Sequence, residues 1–404
     1  MSPTSLFTNA LIGYEPIVDR QRNALAMRVS VSPGGSKVNM AGLYREFTGQ
    51  RAGEGGTIAL RSPAPIDEEL LSVEPSPTLW IEVPGPMMDA DEGRSLAAKL
   101  HAAGFPLMLG GRPQVPLTPE LVAAFRMSII HVDADRRLQQ PLLQAMQSQA
   151  KEQAQAQRSI PHVNEGVRTI AMMEKCFERG AAAVVGWPTE DALQHVGREN
   201  GNPNYTTIIE MMSMIDRNED PVAIEKVIRR DAALAYKLLR YINSPGFGLS
   251  VEVQSFRHAV MMLGYGRLKR WCALLLATAC KDSNLRPAMV ASFRRGVFLE
   301  HLIGAAQDEQ LRDEVFILGV LSLLDKLLKR PFAELFRSLH VPERVHETLV
   351  ERRGPYMPYL KVVESIENGP DPKLPSRLDD CVTSLGQCNQ AVLRALTAPD
   401  LIAA

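Results

Sequence analysis

The sequence predicts an α/β barrel over residues 1–187, joined to an all-helical domain over residues 202–404. Up to Trp187, short apolar runs alternate with helix-like segments. Eight apolar strands with helices between them favour a parallel sheet that is covered on both faces and closed into a barrel. From Tyr205 onward, apolar residues recur at spacings of three and four, which is the pattern of amphipathic helices.

The predicted strands are, in order, LIGYEPIV, ALAMRVSV, GTIALRS, LWIEVPG, FPLMLGG, MSIIHVD, SIPHVN and AAAVVGW. The first two are joined by about six residues, DRQRNA, too few for a crossover helix, so we expect them to pair antiparallel. Helices are predicted at 91–103, 138–157 and 165–179. Proline and glycine directly follow most strands, which is typical of loops.

The pattern changes after Trp187, and residues 188–201 are predicted to be a linker. In the helical half, a helix through Leu238 should end at the sequence Asn-Ser-Pro, because proline cannot continue it. A following helix should stop at Gly264. A last helix at about 376–398 is expected either to close the helical core or to pack back on the barrel.

Charge and cysteine content exclude several classes of protein. Forty-five basic and forty-six acidic residues give no sign of general affinity for nucleic acid. Five scattered cysteines without a CxxC pair favour reduced thiols over a zinc ribbon or a disulfide framework. No signal peptide and no apolar run of membrane-spanning length are evident. We therefore expect a cytoplasmic protein without a cofactor, a nucleic-acid partner or a membrane span, either monomeric or dimeric.

The stretch INSPGFG followed by SFRHAVMMLG resembles the HDOD domain, a helical relative of the HD phosphohydrolases that lacks their metal-binding residues. The residues that carry this resemblance are Asn243, Ser244, Pro245, Phe247, Gly248, Ala259, Leu263 and Gly264. Where HD enzymes have a His-Asp doublet, this chain has Leu321 and Ser322, with Asp325 as the nearby acid. The resemblance implies that this metal site is absent.

The first half resembles an eroded EAL domain, a β/α barrel that in active members hydrolyses cyclic di-GMP. The stretches that carry this resemblance, in shared order, are YEPIVDRQ, FPLMLGG, IIHVD, IPHVNE and VVGWP. Hydrolysis by such a barrel needs divalent cations held by carboxylates. Arg28 stands where the family has its name-giving glutamate, and Gly110 and Gly111 stand where it has an acidic pair. Glu82 matches a family carboxylate, the one ligand that the resemblance implies is left.

Five further vestigial positions follow from the same resemblance. His131 replaces the active-site lysine, with Asp133 kept two residues later. His162 replaces a glutamate, with Glu165 kept downstream, and Val185 replaces a glutamine. The resemblance therefore implies an inactive, degenerate phosphodiesterase-like domain with no catalytic residues.

The sequence leaves several alternatives open. His131, Asp133, His162 and Glu165 could form a new zinc or iron site, and Arg28 with Arg112 could cradle a phosphate without metal. We interpret the chain as a non-catalytic signalling protein that binds other signalling proteins, mainly through its HDOD domain, in cyclic di-GMP-linked control of motility, stress response or biofilm formation. The alternatives are a nucleotide sensor without turnover and a residual metal-dependent phosphodiesterase.

Overall fold

The computed structural model describes residues 8–33, 39–50, 56–135, 160–194, 203–230, 256–280, 282–304, 309–367 and 369–398, with the isolated Leu234 and Leu238. The predicted helix at 138–157 and the second half of the predicted linker, residues 195–201, lie outside these residues, as do Asn243, Ser244, Pro245, Phe247 and Gly248 of the HDOD motif. Within the described ranges, no helix is long and apolar enough to cross a membrane.

The N-terminal part is a closed barrel of eight strands in chain order. They are β1 (Ala10–Asp19), β2 (Ala24–Pro33), β3 (Ile58–Arg61), β4 (Leu79–Pro84), β5 (Leu107–Gly110), β6 (Phe125–His131), β7 (His162–Glu165) and β8 (Ala183–Val185). β1 pairs antiparallel with β2 and β8, and all other neighbours are parallel. The predicted barrel and the predicted antiparallel first pair are confirmed.

Four α-helices are described in the crossovers between the barrel strands. They are α1 (Met40–Gln50), α2 (Asp91–Ala102), α3 (Pro119–Ala124) and α4 (Ile170–Glu178). The crossover from β3 to β4 contains only a single 3-10 turn at Glu68–Ser72. α2 carries Asp91 and Glu92 in its first turn and Lys99 in its last, charges that complement the helix dipole.

Every strand places alternate side chains in the barrel interior. The apolar core of the barrel consists of Ile17, Ala26, Ala59, Trp80, Met108, Ile129, Val163, Ala183 and Val185. The residues two positions further along the parallel strands face the same interior, one layer nearer to the strand C-terminal ends: Arg28, Arg61, Glu82, Gly110, His131 and Glu165. A polar layer therefore lies on the apolar one, at the end of the barrel where such folds bind their ligands.

The described residues from Pro203 onward are mainly helical, as predicted. The described helices are α5 (Pro203–Asp216), α6 (Pro221–Ile228), α7 (Phe256–Thr278), α8 (Arg286–Ile303), α9 (Glu309–Leu321), α10 (Leu324–Leu328), α11 (Phe332–Leu335), α12 (Glu343–Val350), α13 (Met357–Ile366), α14 (Leu374–Asp379) and α15 (Leu385–Thr397). α7 is interrupted at Gly264 (φ 70°, ψ 170°), where the sequence predicts that a helix stops. The prediction of a single last helix at 376–398 is wrong. α14 and α15 are separate helices, because Ser384 caps the N-terminus of α15 and forms a capping box with Gln387.

Contacts divide the chain into two compact units whose bounds differ from the predicted domains. The barrel unit comprises residues 1–191 together with 283–287 and 361–401, and the helical unit takes in 192–282 and 288–360. α15 packs against β1, and Asn389 Nδ2 donates a hydrogen bond to the Ala10 carbonyl at 2.7 Å. Of the two alternatives for the last helix, packing on the barrel is the one observed.

Candidate functional site

Arg28 is the centre of the polar layer, and its side chain is only 1% exposed. Its Nε and Nη2 donate to Oε2 and Oε1 of Glu82, each at 2.7 Å. Its Nη1 donates to Oε2 of Glu165. The guanidinium thus holds one carboxylate in the bidentate geometry that arginine favours and bridges to a second. We call Arg28, Glu82 and Glu165 the Arg28 cluster.

The charges of the cluster stabilise one another. Burial lowers the pKa of Arg28, but the charges and hydrogen bonds of Glu82 and Glu165 outweigh it and raise that pKa further above its ordinary value. Burial alone would raise the pKa of Glu165, yet the Arg28 guanidinium holds it below its ordinary value. Arg28 and Glu165 therefore each favour the charged form of the other.

Arg61 lies at the rim of the cluster. Its Nε is 3.7 Å from Glu82 Oε1 and its Nη1 is 3.8 Å from Glu165 Oε2, with the side chain about half exposed. Arg61 is not predicted from the sequence, because only its position two residues after Ala59 on a barrel strand indicates that its side chain faces the interior. It adds a second, solvent-accessible guanidinium to the site.

Glu15 faces Arg28 across the β1–β2 pair. Burial raises its pKa and the neighbouring Glu165 raises it further, whereas Arg28 opposes the shift. A carboxyl whose pKa is higher in the folded than in the unfolded chain adds stability at low pH, and that stability is lost as the pH rises through the folded pKa. Ionised Glu15 therefore costs stability at neutral pH.

We expect Glu15→Gln to match the wild type near pH 4 and to be more stable than it at pH 8, because glutamine stays neutral. Urea denaturation at pH 4, 6 and 8 measures this difference. The control is Glu178→Gln, an exposed position on α4, which should follow the wild type at every pH. A stability gain that is the same at pH 4 and pH 8 would contradict the assignment.

The two glycines at the end of β5, Gly110 and Gly111, fit this arrangement. A Cβ on Gly110 would lie 2.6 Å from Oε1 and 2.9 Å from Cγ of Glu82, so no side chain can stand there while Glu82 binds Arg28. Gly111 has a φ of 85° and donates its amide hydrogen to the Ile129 carbonyl at 2.9 Å. The position of the predicted acidic pair is thus filled by the glutamate of the neighbouring strand.

The four residues of the alternative metal site do not converge. His131 faces the interior, half exposed, with its Nδ1 3.3 Å from Asp133 Oδ2. His162 is buried and lies three residues from Glu165 on β7, so the two side chains leave the strand on opposite faces. Among the residues that the structure describes, no group of three or more His, Cys, Asp or Glu could hold a metal ion.

The Arg28 cluster also fails as a divalent-cation site. Mg²⁺ and Mn²⁺ need several oxygen ligands around one point. Both carboxylate oxygens of Glu82 and one of Glu165 instead accept hydrogen bonds from Arg28, whose positive charge lies between them. The residues present do not fit the metal ions that the family resemblance implies.

Among the described residues, neither Val185 nor the vestigial HD positions belong to a group of side chains that could hold a metal ion. Val185 is part of the apolar barrel core. In the helical unit, Leu321 is buried, and Ser322 Oγ accepts from Arg295 Nη1 at 2.8 Å and donates to the Gly319 carbonyl at 2.6 Å. Asp325 lies in the first turn of α10, where burial raises its pKa.

Comparison with known proteins identifies a domain in the helical part. Residues 203–335 match the family model described as the HDOD domain, so the predicted HDOD domain is confirmed over these residues. Cyclic di-GMP phosphodiesterase CdgJ of Vibrio cholerae is 28% identical over 167 residues, covering 41% of this chain and 39% of the relative. Uncharacterized protein YuxH of Bacillus subtilis is 26% identical over 172 residues, covering 41% of each. The matches thus span about two fifths of the length of these curated relatives.

Two solved structures, both with cyclic di-GMP bound, are similar to part of this chain. A standalone EAL protein from Vibrio cholerae O395, in its cyclic di-GMP-bound form, has 15% identity and a TM-score of 0.32, covering 44% of this chain and 90% of its own. BlrP1 from Klebsiella pneumoniae, in a complex with calcium and cyclic di-GMP, has 17% identity and a TM-score of 0.29, covering 47% of this chain and 57% of its own.

Proposed function

We propose that this chain is a non-catalytic signalling protein that acts through protein contacts in cyclic di-GMP-linked regulation. The observation that supports this most directly is the Arg28 cluster, in which a guanidinium lies where two carboxylates would have to hold a cation. Phosphodiester hydrolysis by metal-dependent enzymes relies on that cation to polarise the phosphate and to activate water. A fixed guanidinium can neutralise charge, but it cannot lower the pKa of a bound water as a metal ion does.

The HDOD domain is the main docking module in this proposal, with other signalling proteins as its partners in motility, stress response or biofilm formation. Ser322 and Leu321 stand at the His-Asp position, which removes the ligands for HD-type chemistry. Met261 and Met262 on α7 are 69% and 48% exposed. Exposed methionines suit binding surfaces that adapt to more than one partner. The proposal places this role in the cytoplasm, where the five free cysteines stay reduced.

A second candidate function is a cyclic di-GMP sensor that binds without hydrolysis. Arg28 cannot serve it, because its donors are committed to Glu82 and Glu165. Arg61 can, since its half-exposed guanidinium lies at the rim of the cluster and phosphates are good bidentate partners of arginine. A third candidate function is a residual phosphodiesterase, because the relative CdgJ is named a cyclic di-GMP phosphodiesterase.

We expect calorimetric titration of the full chain with cyclic di-GMP, with and without Mg²⁺ or Mn²⁺, to give no binding heat, and the nucleotide to be recovered intact. Binding without turnover would favour the sensor, provided that Arg61→Gln abolishes it. Arg126→Gln is the matched control, because Arg126 lies at the start of β6 over the Trp80 ring, at the opposite end of the barrel. Metal-dependent conversion of the nucleotide would overturn the proposal.

A further inference from the structure

The part of the barrel unit that follows the HDOD match forms a strap, which we define as the described residues 361–367 and 369–398. The HDOD match ends at residue 335, and the strap belongs to the barrel unit rather than to the helical unit. It contains the end of α13 together with α14 and α15. The hydrogen bonds described for the Arg28 cluster involve no strap residue. The cluster therefore does not explain the position of the strap.

The strap contacts the barrel at its mouth, which we define as the interior opening at the C-terminal ends of the parallel strands. Gly13 lies opposite Ser30, two residues beyond Arg28 on β2, and faces the interior like Glu15 and Ile17. This places it roughly 7 Å from the Arg28 layer, toward the mouth. A Cβ on Gly13 would lie 2.3 to 2.5 Å from backbone atoms of Gly369. The strap backbone thus takes the space of a side chain in the mouth.

A second contact joins the strap to the segment after β8. Trp187 lies two residues after the end of that strand, and its indole Nε1 donates to the Glu367 carbonyl at 2.9 Å. The Trp187 ring packs edge-on against Tyr14, with ring centroids 6.1 Å apart. Together with the Asn389 hydrogen bond to Ala10, these contacts hold the strap against β1 and the end of β8.

The turn that enters the mouth is braced from within. Asp371 accepts from Ser365 Oγ and from the Lys373 amide, each at 2.9 Å, and lies 3.3 Å from the Arg377 guanidinium. Arg377 also donates to the Lys361 carbonyl at 3.0 Å. Local side chain to backbone bonds of this kind fix a turn in one conformation. The strap is therefore a preformed element rather than a loose tail.

We propose that the strap covers the barrel mouth on its β1–β8 side, and that molecules reach the polar layer from this side only when the backbone at Gly369 moves out of the mouth while the strap helices stay packed on the barrel. Arg61 on β3 and Glu165 on β7 remain partly exposed while the strap is in place. The strap therefore narrows the mouth beside β1 and β8 and leaves the side at β3 and β7 open. This inference depends on the fold of the barrel unit alone and stands whether or not the barrel binds a nucleotide.

Gly13→Ala in the full chain tests the cover, because the added methyl group must displace the Gly369 backbone. The probe is a thiol introduced by Ser30→Cys, at a buried position that faces Gly13 in the mouth. We expect Gly13→Ala to raise the rate at which N-ethylmaleimide modifies this thiol by about tenfold, as for a site reached through local opening. Mass spectrometry distinguishes position 30 from the five native cysteines.

Gly49→Ala is the matched control, since a Cβ at that α1 position meets no atom within 4 Å. It should leave the labelling rate unchanged. Trp187→Phe, which removes the hydrogen bond to Glu367 but keeps an aromatic ring beside Tyr14, should raise the rate by a smaller factor. Equal rates in all variants, with the fold intact, would overturn the proposal.

Hydrogen exchange gives an independent measurement should the introduced thiol disturb folding. In Gly13→Ala with its native Ser30, amides of residues 361–380 should exchange faster, while those of β5 stay unchanged. Unchanged exchange in residues 361–380 would equally overturn the cover.

Discussion

Replacing Arg28 by methionine is expected to lower the free energy of unfolding by about 3–5 kcal/mol, the usual cost of removing one partner of a buried ion pair. Glu82 would stay 6% exposed without its bidentate partner, and Glu165 would lose the same neighbour. Guanidinium denaturation of the full chain at pH 7, followed by circular dichroism, measures the loss. Adding Glu82→Gln to Arg28→Met should recover part of it, because one uncompensated charge is then removed.

The control is Arg45→Met, which breaks a surface pair with Glu69 at 2.9 Å in which both side chains are 49% exposed. Exposed pairs of this kind contribute about 0–1 kcal/mol. If Arg28→Met destabilises the chain no more than Arg45→Met, the cluster does not stabilise the barrel in the way described.

The variant Arg28→Glu tests whether this site can hold a divalent cation. This variant gathers three carboxylates at one point, so its unfolding midpoint should rise when Mn²⁺ is added, as expected for a ligand that binds the folded state. The wild type should not respond, because Arg28 already supplies the positive charge. A wild type that Mn²⁺ stabilises as strongly would contradict the proposed non-catalytic role.

Ending the chain at residue 360 is expected to unfold the barrel unit. The strap buries Leu374, Leu378, Val392, Leu393 and Leu396. At roughly 1.5–3 kcal/mol for each fully buried aliphatic side chain, their removal costs about 10 kcal/mol. That amount is comparable to the whole stability of a typical domain, which is about 5–15 kcal/mol.

Circular dichroism and thermal melting of chains 1–360 and 1–404 give the comparison. A chain that ends at residue 398 is the control, because it keeps both strap helices and should melt as the full chain does. The inferred dependence of the barrel on the strap fails if the chain ending at 360 retains the barrel transition at its original temperature.

The barrel could be predicted from the sequence because each of its strands is a short run of apolar residues. The antiparallel first pair follows from the short DRQRNA connection, and the observed topology confirms it. The position of Arg28 came from family resemblance, which treats one strand at a time. Its bonds to Glu82 and Glu165 depend on strands that are not its sequence neighbours, and only the shared two-residue alternation from Ala26, Trp80 and Val163 brings them into one layer.

The domain bounds could not be derived in the same way. The apolar stripe of the last helix shows that something covers it, but Leu378 and Leu396 would be equally well buried in a helical core or on a barrel. The structure places that helix on β1 because Asn389 bonds to Ala10 and Gly13 leaves room for Gly369. These are long-range contacts between small residues, for which the sequence carries no periodic signal.

The close approach of Glu82 to Gly110 couples two strands, so that an acidic side chain cannot enter either position 28 or position 110 without a cost in stability. An aspartate at position 110 would drive its Cβ into a glutamate that Arg28 holds in place. A glutamate at position 28 would leave three carboxylates together with no positive charge between them. In the absence of a cation, each of these single substitutions therefore yields a protein less stable than the present one.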